Sequence, residues 1–573
     1  MNGNKTTATS SEERRMQRGI SVLAFFVPAF IMLVLFIIRG IYPFGDRSFL
    51  FSDMYHQYMP FLSEFVHKIK AGEGLFYSYN VGIGSNFLAL YVYYLASPFN
   101  WLVFLLPEGL IMEFMSYLVI LRIGLMGLTF SIYLRKVFGK EDPAALLFST
   151  AYALSGYLAA YNWNVMWLDC LILLPLILLG AERLVREGKW VMYTVTLGLC
   201  ILTNYYISIM ICIFLVLYFG MFLITEYYTM TEGQSRKARI VFGRIGRFAF
   251  ASLLAGGLAA VLLIPEVCAI LRTDFGNSDF PGTLESYFSV FDMLARHCLC
   301  VTTERGLEHW PNIYCGVAVF LLVPMYALNE KISVRKRFCN LALAGFLLLS
   351  FGTNVLDFLW HGLNYPDSLP ARQSFLYIFL ILVMCYDAFR NVEGTSPRQI
   401  IYGYLAAVIF LLACEKFVES EDFDTGIEVL TLVFVTIYGV LLYLYRTRKD
   451  ELTRQVLGIL VLACVVAELS INTFNTSLGT TGRSAYLGDQ EDYKALYALA
   501  QEQEGDDFFR IEKFTRKTKN DGTLTGYPTA SVFSSTMNSI VMDLYKMLGM
   551  RHSKVYYGFD GATAFVSALL NVD

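Results

Sequence analysis

The chain has 573 residues, of which 56% are hydrophobic and only 16% are charged, and its mean hydropathy is +0.51. A soluble protein of this length could not hide so many apolar side chains, so the surplus must face lipid. The formal net charge is −3 and the basic residues form short clusters between apolar runs, a pattern of membrane topology signals that gives no support to nucleic-acid binding.

The apolar runs predict an all-α, polytopic integral membrane protein. Residues 1–19 are polar, and the run over 20–42 is too long for a signal-peptide core, so it is interpreted as an uncleaved first span. Together the runs give about 13 crossings, each needing about 20 residues. The later spans are placed at 111–134, 143–161, 166–182, 190–207, 208–226, 248–270, 312–328, 339–357, 374–389, 399–415, 428–445 and 455–472.

The basic clusters orient these spans. Cytoplasmic loops are enriched in Lys and Arg, which predicts a cytoplasmic N-terminus and an extracytoplasmic region after Asn472. The apolar stretch 86–106 would reverse this order if it crossed, and Pro98 and Asn100 interrupt it, so it is interpreted as one or two interfacial or re-entrant helices. The outer face then collects residues 43–110, 161–165, 271–311, 358–373 and the tail from 473.

The tail differs in character from the spans before it. Residues 508–513 (FFRIEK) alternate like a strand, residues 526–535 are rich in turn formers, and residues 539–548 predict a helix. We therefore expect two domains, a transmembrane domain over 1–472 with its first outer loop at 43–110, and the start of an extracytoplasmic α/β domain over 473–573. The chain stops inside an apolar run, so we expect this domain to be C-terminally shortened.

Asp53 is the first candidate catalytic residue. It lies in the first outer loop, in a segment over 51–65 whose apolar residues share one helical face, as in an amphipathic helix at the interface. Asp53 could act there as a general base that deprotonates an acceptor hydroxyl. It could equally be an N-cap, since Asp is a preferred residue before a helix.

Asp169 is the second candidate acid, at the predicted outer end of the span 166–182. It could be a partner acid or metal ligand that faces Asp53, or an acid that stabilises the helix dipole. Arg122 lies half way along the span 111–134 and needs a buried partner, which could be an acid or a phosphate. A structural ion pair explains Arg122 equally well.

Arg372 is the candidate phosphate ligand, because Arg binds phosphate through two parallel hydrogen bonds. A headgroup anchor is the alternative, and Arg272, Arg296, Arg305 and His309 are weaker candidates of the same kind. Tyrosines in the outer loops could stack on a sugar ring or form the interfacial belt. The candidate substrate-binding residues are His56, Gln57, Tyr58, Asn86, Tyr93, Tyr94, Asn164, Asn204, Tyr205, Glu266, His309 and Arg372.

The sequence has no Walker loop, HExxH, GxSxG or dinucleotide-binding motif, so the energy for any reaction must reside in the substrate. Its 11 cysteines include no CxxC pair. Cys298, Cys300 and Cys315 lie at or near an outer loop, where a disulfide and free thiols are both open.

Several long motifs carry a resemblance to a known family. They are SDMYHQYMPF at 52–61, YNVGIGSNF at 79–87, YYLASPFN at 93–100, SGYLAAYNWNVMWLD at 155–169, LTNYYIS at 202–208 and GYPTASVFSSTMN at 526–538. With these motifs the chain resembles the YfhO-type bacterial membrane proteins over nearly its whole length. That family is similar to the GT-C class of polytopic glycosyltransferases, whose first outer loop carries an acid.

The resemblance implies transfer of a sugar from an undecaprenyl-phosphate donor to a cell-envelope acceptor, such as a teichoic acid-type polymer or a glycolipid. Asp53 then matches the first-loop acid and Asp169 a second acid. No DxD pair stands at either place, so no cofactor is certain and a divalent metal stays open. Membrane lipids and a donor-synthesising glycosyltransferase are further implied partners. The alternative is a lipid or polysaccharide transporter or flippase, for which inverted repeats are expected but not evident.

Overall fold

A computed structural model describes residues 11–139, 142–233, 235–274, 279–366, 368–505 and 507–572. Helices make up most of the described chain. In chain order they are α1 Ser11–Ile38, α2 Met59–Lys70, α3 Phe87–Leu90, α4 Ile111–Phe138, α5 Ala144–Ala153, α6 Gly156–Tyr161, α7 Leu168–Glu187, α8 Val191–Thr203, α9 Tyr205–Thr231, α10 Lys237–Ile270, α11 Val290–Ala295, α12 Val319–Leu328, α13 Val334–Phe351, α14 Asn354–Trp360, α15 Ser374–Arg390, α16 Pro397–Phe417, α17 Thr425–Thr447, α18 Glu451–Thr476, α19 Arg483–Leu487, α20 Gln490–Glu504, α21 Asp521–Thr525, α22 Ser539–Met547 and α23 Ala564–Leu570.

The helical, multi-pass architecture is confirmed. Within the described ranges, eight helices are long and apolar enough to cross a membrane. Every predicted span falls on helical residues, although the spans 143–161 and 339–357 are each divided between two helices. Helices α8 and α12 are short, with 13 and 10 residues. The predicted span 312–328 is helical only from Val319. The number of crossings therefore stays a prediction, whereas the predicted fold class is confirmed.

The two ends of the helical bundle differ in chemistry. At one end the basic clusters contact one another and nearby acids, as in the pairs Arg186–Glu226 at 3.1 Å and Lys331–Glu393 at 2.7 Å. The segments predicted to lie outside meet at the opposite end, which we call the loop end. There Tyr161 Oη donates to the Pro370 carbonyl at 2.8 Å, and the Ser539 amide donates to the Arg272 carbonyl at 2.9 Å. The side of the membrane on which the loop end lies remains a prediction.

The stretch 86–106 forms two short helical segments and not one straight span. Residues Phe87–Leu95 and the 3₁₀ helix Pro98–Leu105 are bent by 96° relative to each other. Ser97 makes the corner, because its hydroxyl accepts a hydrogen bond from the Phe99 amide and Pro98 begins the second segment.

Strands are few and short in the part of the chain that the structure describes. The antiparallel pairs are β1 Arg47–Ser48 with β4 Thr481–Gly482, β2 Tyr77–Ser78 with β3 Ser85–Asn86, and β5 Val532–Phe533 with β6 Tyr556–Tyr557. The predicted strand over 508–513 is wrong, since only Arg510 makes a bridge, to Val572. The predicted helix over 539–548 is confirmed as α22.

The helix predicted around Asp53 exists, but its polar face is not open to solvent. A π-helical turn, Met54–Tyr58, leads directly into α2. The tail covers this helix through α21, where the Leu524 carbonyl accepts from Ser63 Oγ at 2.9 Å. Glu64, on the expected polar face, is buried and accepts from Ser78 Oγ at 2.6 Å. Protein and not water therefore covers the polar side of this helix, while its apolar face is as predicted.

Candidate functional site

Asp53 lies at the start of the π-helical turn, but its side chain makes no capping hydrogen bond. Its Oδ1 atom instead accepts from Gln57 Nε2 at 3.3 Å, one turn further along. Ser52 before it has φ +50, a left-handed conformation that is unusual for a residue other than glycine. The N-cap explanation of Asp53 is therefore wrong, and the carboxylate is left available at the loop end.

Burial and charge set the protonation of Asp53 in opposite directions. Removal from water raises the pKa of Asp53 to about 6, and the positive charge of Arg372 lowers it by a smaller amount. A carboxyl group in this range is ionised near neutral pH and is still basic enough to accept a proton. Asp53 thus has the protonation behaviour of a general base.

Arg372 is fixed in place by its own loop. Its Nε and Nη2 atoms donate to the Leu369 and Ser368 carbonyls at 3.0 and 2.9 Å, and Nη1 donates to Tyr206 Oη at 2.8 Å. The guanidinium also lies over the rings of Trp167 and Tyr206, at 5.4 and 5.1 Å. A guanidinium has five N–H donors, so two remain for a ligand. The guanidinium of Arg372 is therefore held rigidly, and it lies close enough to Asp53 for its positive charge to act on that carboxylate.

Tyrosines form one wall beside these two residues. Tyr58 is buried and donates to Asn164 Oδ1, which fixes its ring. The ring of Tyr94 lies 5.7 Å from Tyr58 and 4.6 Å from Tyr93, and Tyr93 lies 6.1 Å from Tyr205. The structure thus brings together predicted residues from three distant segments of the sequence.

Glu266 adjoins the same tyrosines from α10. It lies close enough to Tyr93 and Tyr205 for its charge to act on both hydroxyls. Its side chain is fully buried, and within the described ranges neither carboxylate oxygen has a hydrogen-bond partner. Buried polar atoms without partners are rare and call for a ligand or water, so Glu266 is a strong candidate for contact with substrate.

Other residues that were predicted to bind substrate make structural contacts with nearby parts of the protein. Asn86 caps α3 by accepting from the Ala89 amide at 3.2 Å, and Asn204 caps α9 by accepting from the Ile207 amide at 2.8 Å. His309 stacks on Tyr287 at 4.1 Å and lies 3.9 Å from Asp357, apart from the tyrosine wall. His56 holds the tail, since its carbonyl accepts from Asn520 Nδ2 at 2.7 Å.

Asp169 pairs with Arg122 instead of facing Asp53. Arg122 Nε donates to Asp169 Oδ1 at 2.8 Å, and its Nη2 donates to Ser97 Oγ at 2.9 Å at the corner of the bent segment. Both side chains are buried. This geometry agrees with the structural ion pair, one of the two explanations that the sequence left open for Arg122. One oxygen of Asp169 and one nitrogen of Arg122 lack partners among the described residues, and a catalytic part for Asp169 stays a prediction.

Sequence patterns missed several polar groups near Arg372. The Trp167 indole N–H, both polar atoms of Gln373 and the Ser374 hydroxyl are buried without partners in the described part of the chain. Arg305 was a weak candidate, yet its guanidinium lies 4.7 Å from the Phe51 ring, two residues before Asp53. Gln373 and Ser374 belong to no periodic pattern or motif in the sequence. Their buried polar atoms without hydrogen-bond partners become visible only in the folded structure.

The residues around Asp53 do not form a metal centre of a familiar kind. No three His, Cys, Asp or Glu side chains in the described ranges are positioned to hold an ion together. All 11 cysteines are free thiols, which decides the open disulfide question at Cys298, Cys300 and Cys315.

Comparison with known proteins agrees with these motifs. A family model described as bacterial membrane protein YfhO matches residues 24–573. The chain belongs to the YfhO family. Protein YfhO of Bacillus subtilis (strain 168) is 21% identical over 498 residues, which cover 82% of this chain and 54% of that protein. The chain therefore spans about half the length of this curated relative.

Two solved structures of ArnT from Cupriavidus metallidurans also resemble the fold. The form bound to undecaprenyl phosphate is 13% identical with a TM-score of 0.39, and covers 94% of this chain and 89% of ArnT. The apo form is 14% identical with a TM-score of 0.39, and covers 86% and 82%. At this level the similarity is a coarse one of architecture.

Proposed function

We propose that this YfhO-family chain is a membrane glycosyltransferase. It transfers a sugar from an undecaprenyl-phosphate donor to a hydroxyl of a cell-envelope acceptor, on the outer face of a bacterial plasma membrane. The observation that carries the proposal is an uncapped, half-buried Asp53 close enough to the rigid cation Arg372 at the loop end for the charge of Arg372 to act on the carboxylate. A base beside a phosphate-binding cation is what displacement of a lipid phosphate requires.

In the proposed reaction, Asp53 accepts the proton of the acceptor hydroxyl as its oxygen bonds to C1 of the sugar. The bond from C1 to the phosphate oxygen breaks, and the lipid phosphate leaves with the electron pair. One displacement at C1 inverts the anomeric centre. The two unused N–H groups of Arg372 stabilise the leaving phosphate. Arg305, whose guanidinium lies over the Phe51 ring, would contribute a second positive charge.

The tyrosine wall and Glu266 suit the sugar in this scheme. Aromatic rings pack against the apolar face of a pyranose. The two unpartnered oxygens of Glu266 can accept hydrogen bonds from sugar hydroxyls, which would satisfy atoms that the protein leaves unpaired. Glu266 would thereby hold the sugar while Arg372 holds its phosphate.

The proposal is tested by reconstituting the purified chain in liposomes with a radiolabelled polyprenyl-phosphate sugar and a hydroxyl acceptor. We expect product with an inverted anomeric centre, and a loss of at least about 100-fold in transfer for Asp53→Asn, since general-base help is typically worth 10²–10⁴-fold. Asp46→Asn is the matched control, because Asp46 is exposed in the same loop and asparagine keeps the Oδ1 atom that accepts hydrogen bonds from Ser484. Donor that is moved across the bilayer but never consumed would establish the transporter alternative instead.

A further inference from the structure

Two arginines converge on one glycine at the end of the bundle opposite the loop end, which we call the basic end. Helix α7 is capped there by Gly188, which has φ +75. A Cβ atom on Gly188 would overlap the Nη1 atoms of both Arg244 and Arg247, which lie about one turn apart on α10. Two guanidinium groups thus meet in the space that a single side-chain atom would fill.

No described carboxylate balances this pair of charges. The acids around the end of α7 are paired with other cations, in the pairs Arg186–Glu182 at 3.2 Å, Arg186–Glu226 at 3.1 Å and Lys189–Glu187 at 2.7 Å. Neither Arg244 nor Arg247 forms an ion pair with any residue that the structure describes, and Arg247 is exposed. Two like charges this close repel each other, and an anion between them would remove the repulsion.

The end of α7 accounts for only part of the positive charge. Arg244 Nη2 donates to the Arg186 carbonyl at 3.4 Å, a contact that the last turn of a helix offers to cations. The helix dipole places about half a negative charge at this end, against two full positive charges. Arg244 Nε is buried without a hydrogen-bond partner in the described ranges, and such a donor calls for a ligand or water. The arginine pair therefore has unused capacity to bind an anion.

The depth of the pair in the membrane indicates which anion it binds. Glu266 lies on the same helix at the loop end, about 33 Å from Arg244 at a rise of 1.5 Å per residue. That distance is close to the thickness of a hydrocarbon core, so the arginine pair lies at the level of the lipid phosphates on the other side of the bilayer. The Trp190 ring contacts the Phe250 ring at 5.6 Å, as is typical of aromatic residues at this level.

An apolar surface continues from the arginine pair along the same two helices. Large hydrophobic side chains of α8 and α10 are exposed there, and they are Val191, Val195, Leu199, Phe250, Leu253 and Leu258. A ligand with a phosphate at one end and acyl chains at the other fits a surface that is cationic at its edge and apolar beyond it.

We propose that Arg244 and Arg247 bind the phosphate of an anionic phospholipid, whose acyl chains lie against the exposed surface of α8 and α10. Guanidinium groups bind phosphate oxygens through paired hydrogen bonds. A lipid with a net negative headgroup is favoured over a zwitterionic one, because the latter would add a positive charge to a site that already has two. The site is independent of the proposed sugar transfer, since it lies at the opposite end of the bundle from Asp53 and Arg372.

The test is lipid binding to the purified full chain in neutral detergent micelles, counted by native mass spectrometry. The probe is phosphatidylglycerol, and phosphatidylcholine with the same acyl chains is the control lipid. Because a charged hydrogen bond is worth about tenfold or more, Arg244→Gln/Arg247→Gln should bind phosphatidylglycerol at least about tenfold more weakly. Lys237→Gln/Arg239→Gln removes the same charge from exposed positions on α10. This control should stay within about threefold of wild type, since salt screens charges beyond about 8 Å.

A pair of glycines separates the geometry of the site from its charge. Gly139 caps α4 at the basic end with φ +67, and a Cβ atom there would meet nothing within 4 Å. Gly188→Ala keeps both arginines but displaces their guanidinium groups, so it should weaken phosphatidylglycerol binding. Gly139→Ala carries the same kind of backbone strain and should leave the binding unchanged.

Equal phosphatidylglycerol binding by wild type and Arg244→Gln/Arg247→Gln would overturn the proposal, as would equal binding of phosphatidylcholine by wild type. An equal loss in Lys237→Gln/Arg239→Gln would show diffuse attraction to the basic end and not a site. Displacement of the lipid by millimolar inorganic phosphate would make the pair a site for a free anion. Melting curves without added lipid check the fold of each variant, and the comparison of Gly188→Ala with Gly139→Ala decides the matter if the double variant does not fold.

Discussion

The ionisation of Asp53 links activity to stability. A folded-state pKa of about 6, above the ordinary 3.8, means that the native protein holds the Asp53 proton more tightly than the unfolded chain does. The tighter binding of this proton stabilises the native state fully below about pH 4, and the stabilisation is lost as pH rises through 6. The native state therefore bears a cost of roughly 1–3 kcal/mol for the charge at pH 8.

Asp53→Asn should accordingly raise the melting temperature at pH 8 while lowering transfer by at least about 100-fold, and the thermal gain should vanish near pH 4. Wild-type transfer should fall about tenfold per pH unit below pH 6, as its base becomes protonated. Melting curves at both pH values check the stability, and Asp46→Asn serves as control. A lower melting temperature for Asp53→Asn at pH 8 would show that the carboxylate stabilises the fold.

Arg372 offers a second residue-level test. Lysine keeps the charge but loses the planar fork, and with it the contacts to Ser368, Leu369 and Tyr206. Arg372→Lys should raise the donor KM by about 10–100-fold, the worth of one charged hydrogen bond, and lower kcat less. Arg272→Lys, at an exposed loop-end position, is the control. An unchanged donor KM in Arg372→Lys would leave Arg372 as an anchor of its own loop.

At the residue scale, the sequence identified candidate residues but not the contacts that they make. Asp53, Tyr58 and Arg372 were recognisable as candidates from their residue types in outer segments. Asn86 and Asn204 looked alike in sequence and are helix caps, because a cap depends on the first turn of backbone that the side chain meets. The Arg122–Asp169 pair joins residues 47 positions apart, a contact that no local spacing encodes.

At the element scale, the docking of the tail on the first loop can be tested at Gly82. Gly82 has φ +57, and a Cβ atom there would overlap the Tyr557 hydroxyl, to which the Ile83 amide donates at 3.1 Å. Gly72 has φ +71 but only open space around a Cβ. Both changes to alanine carry a backbone cost of about 1 kcal/mol, so their difference isolates the contact with the tail.

Gly82→Ala should destabilise the protein by about 1–3 kcal/mol more than Gly72→Ala, the usual cost of overpacking. Hydrogen exchange should also become faster across 508–572 in Gly82→Ala alone. Equal exchange in the two variants would show that the tail does not depend on this contact.

Two elements have surroundings that the sequence did not predict, and the cause is the same for both. The helix after Asp53 has a clear apolar face, yet its polar face is covered by residues more than 400 positions later. Residues 508–513 alternate like a strand, but the Arg510 amide pairs only with the Asn571 carbonyl. A period of two or 3.6 residues reports which face is apolar and carries no information about what covers the other face.

At the scale of the whole molecule, the apolar runs predicted the architecture because lipid imposes a simple rule on length and polarity. The same rule fails at the margins. Helix α7 contains Asp169 and Glu182, and α13 begins with a basic cluster, so composition alone does not place either helix across the bilayer. The outer loops contact one another at one end of the bundle, and the basic clusters contact nearby acids at the other. These contacts distinguish the two ends where the composition of single helices does not.

The orientation of the molecule is the last prediction, and the proposed site depends on it. Lys and Arg favour the cytoplasmic side of short loops, so the basic end should face the cytoplasm and the loop end should face outward. A reporter that is active only outside the cytoplasm should work when inserted after Gly488 and fail when inserted after Glu232, at the basic end. If the Gly488 fusion is inactive and a cytoplasmic reporter works there, the bent segment over 87–105 crosses the membrane. Asp53 and Arg372 would then no longer share a face with an outer acceptor, and the glycosyltransferase proposal would lose its geometry.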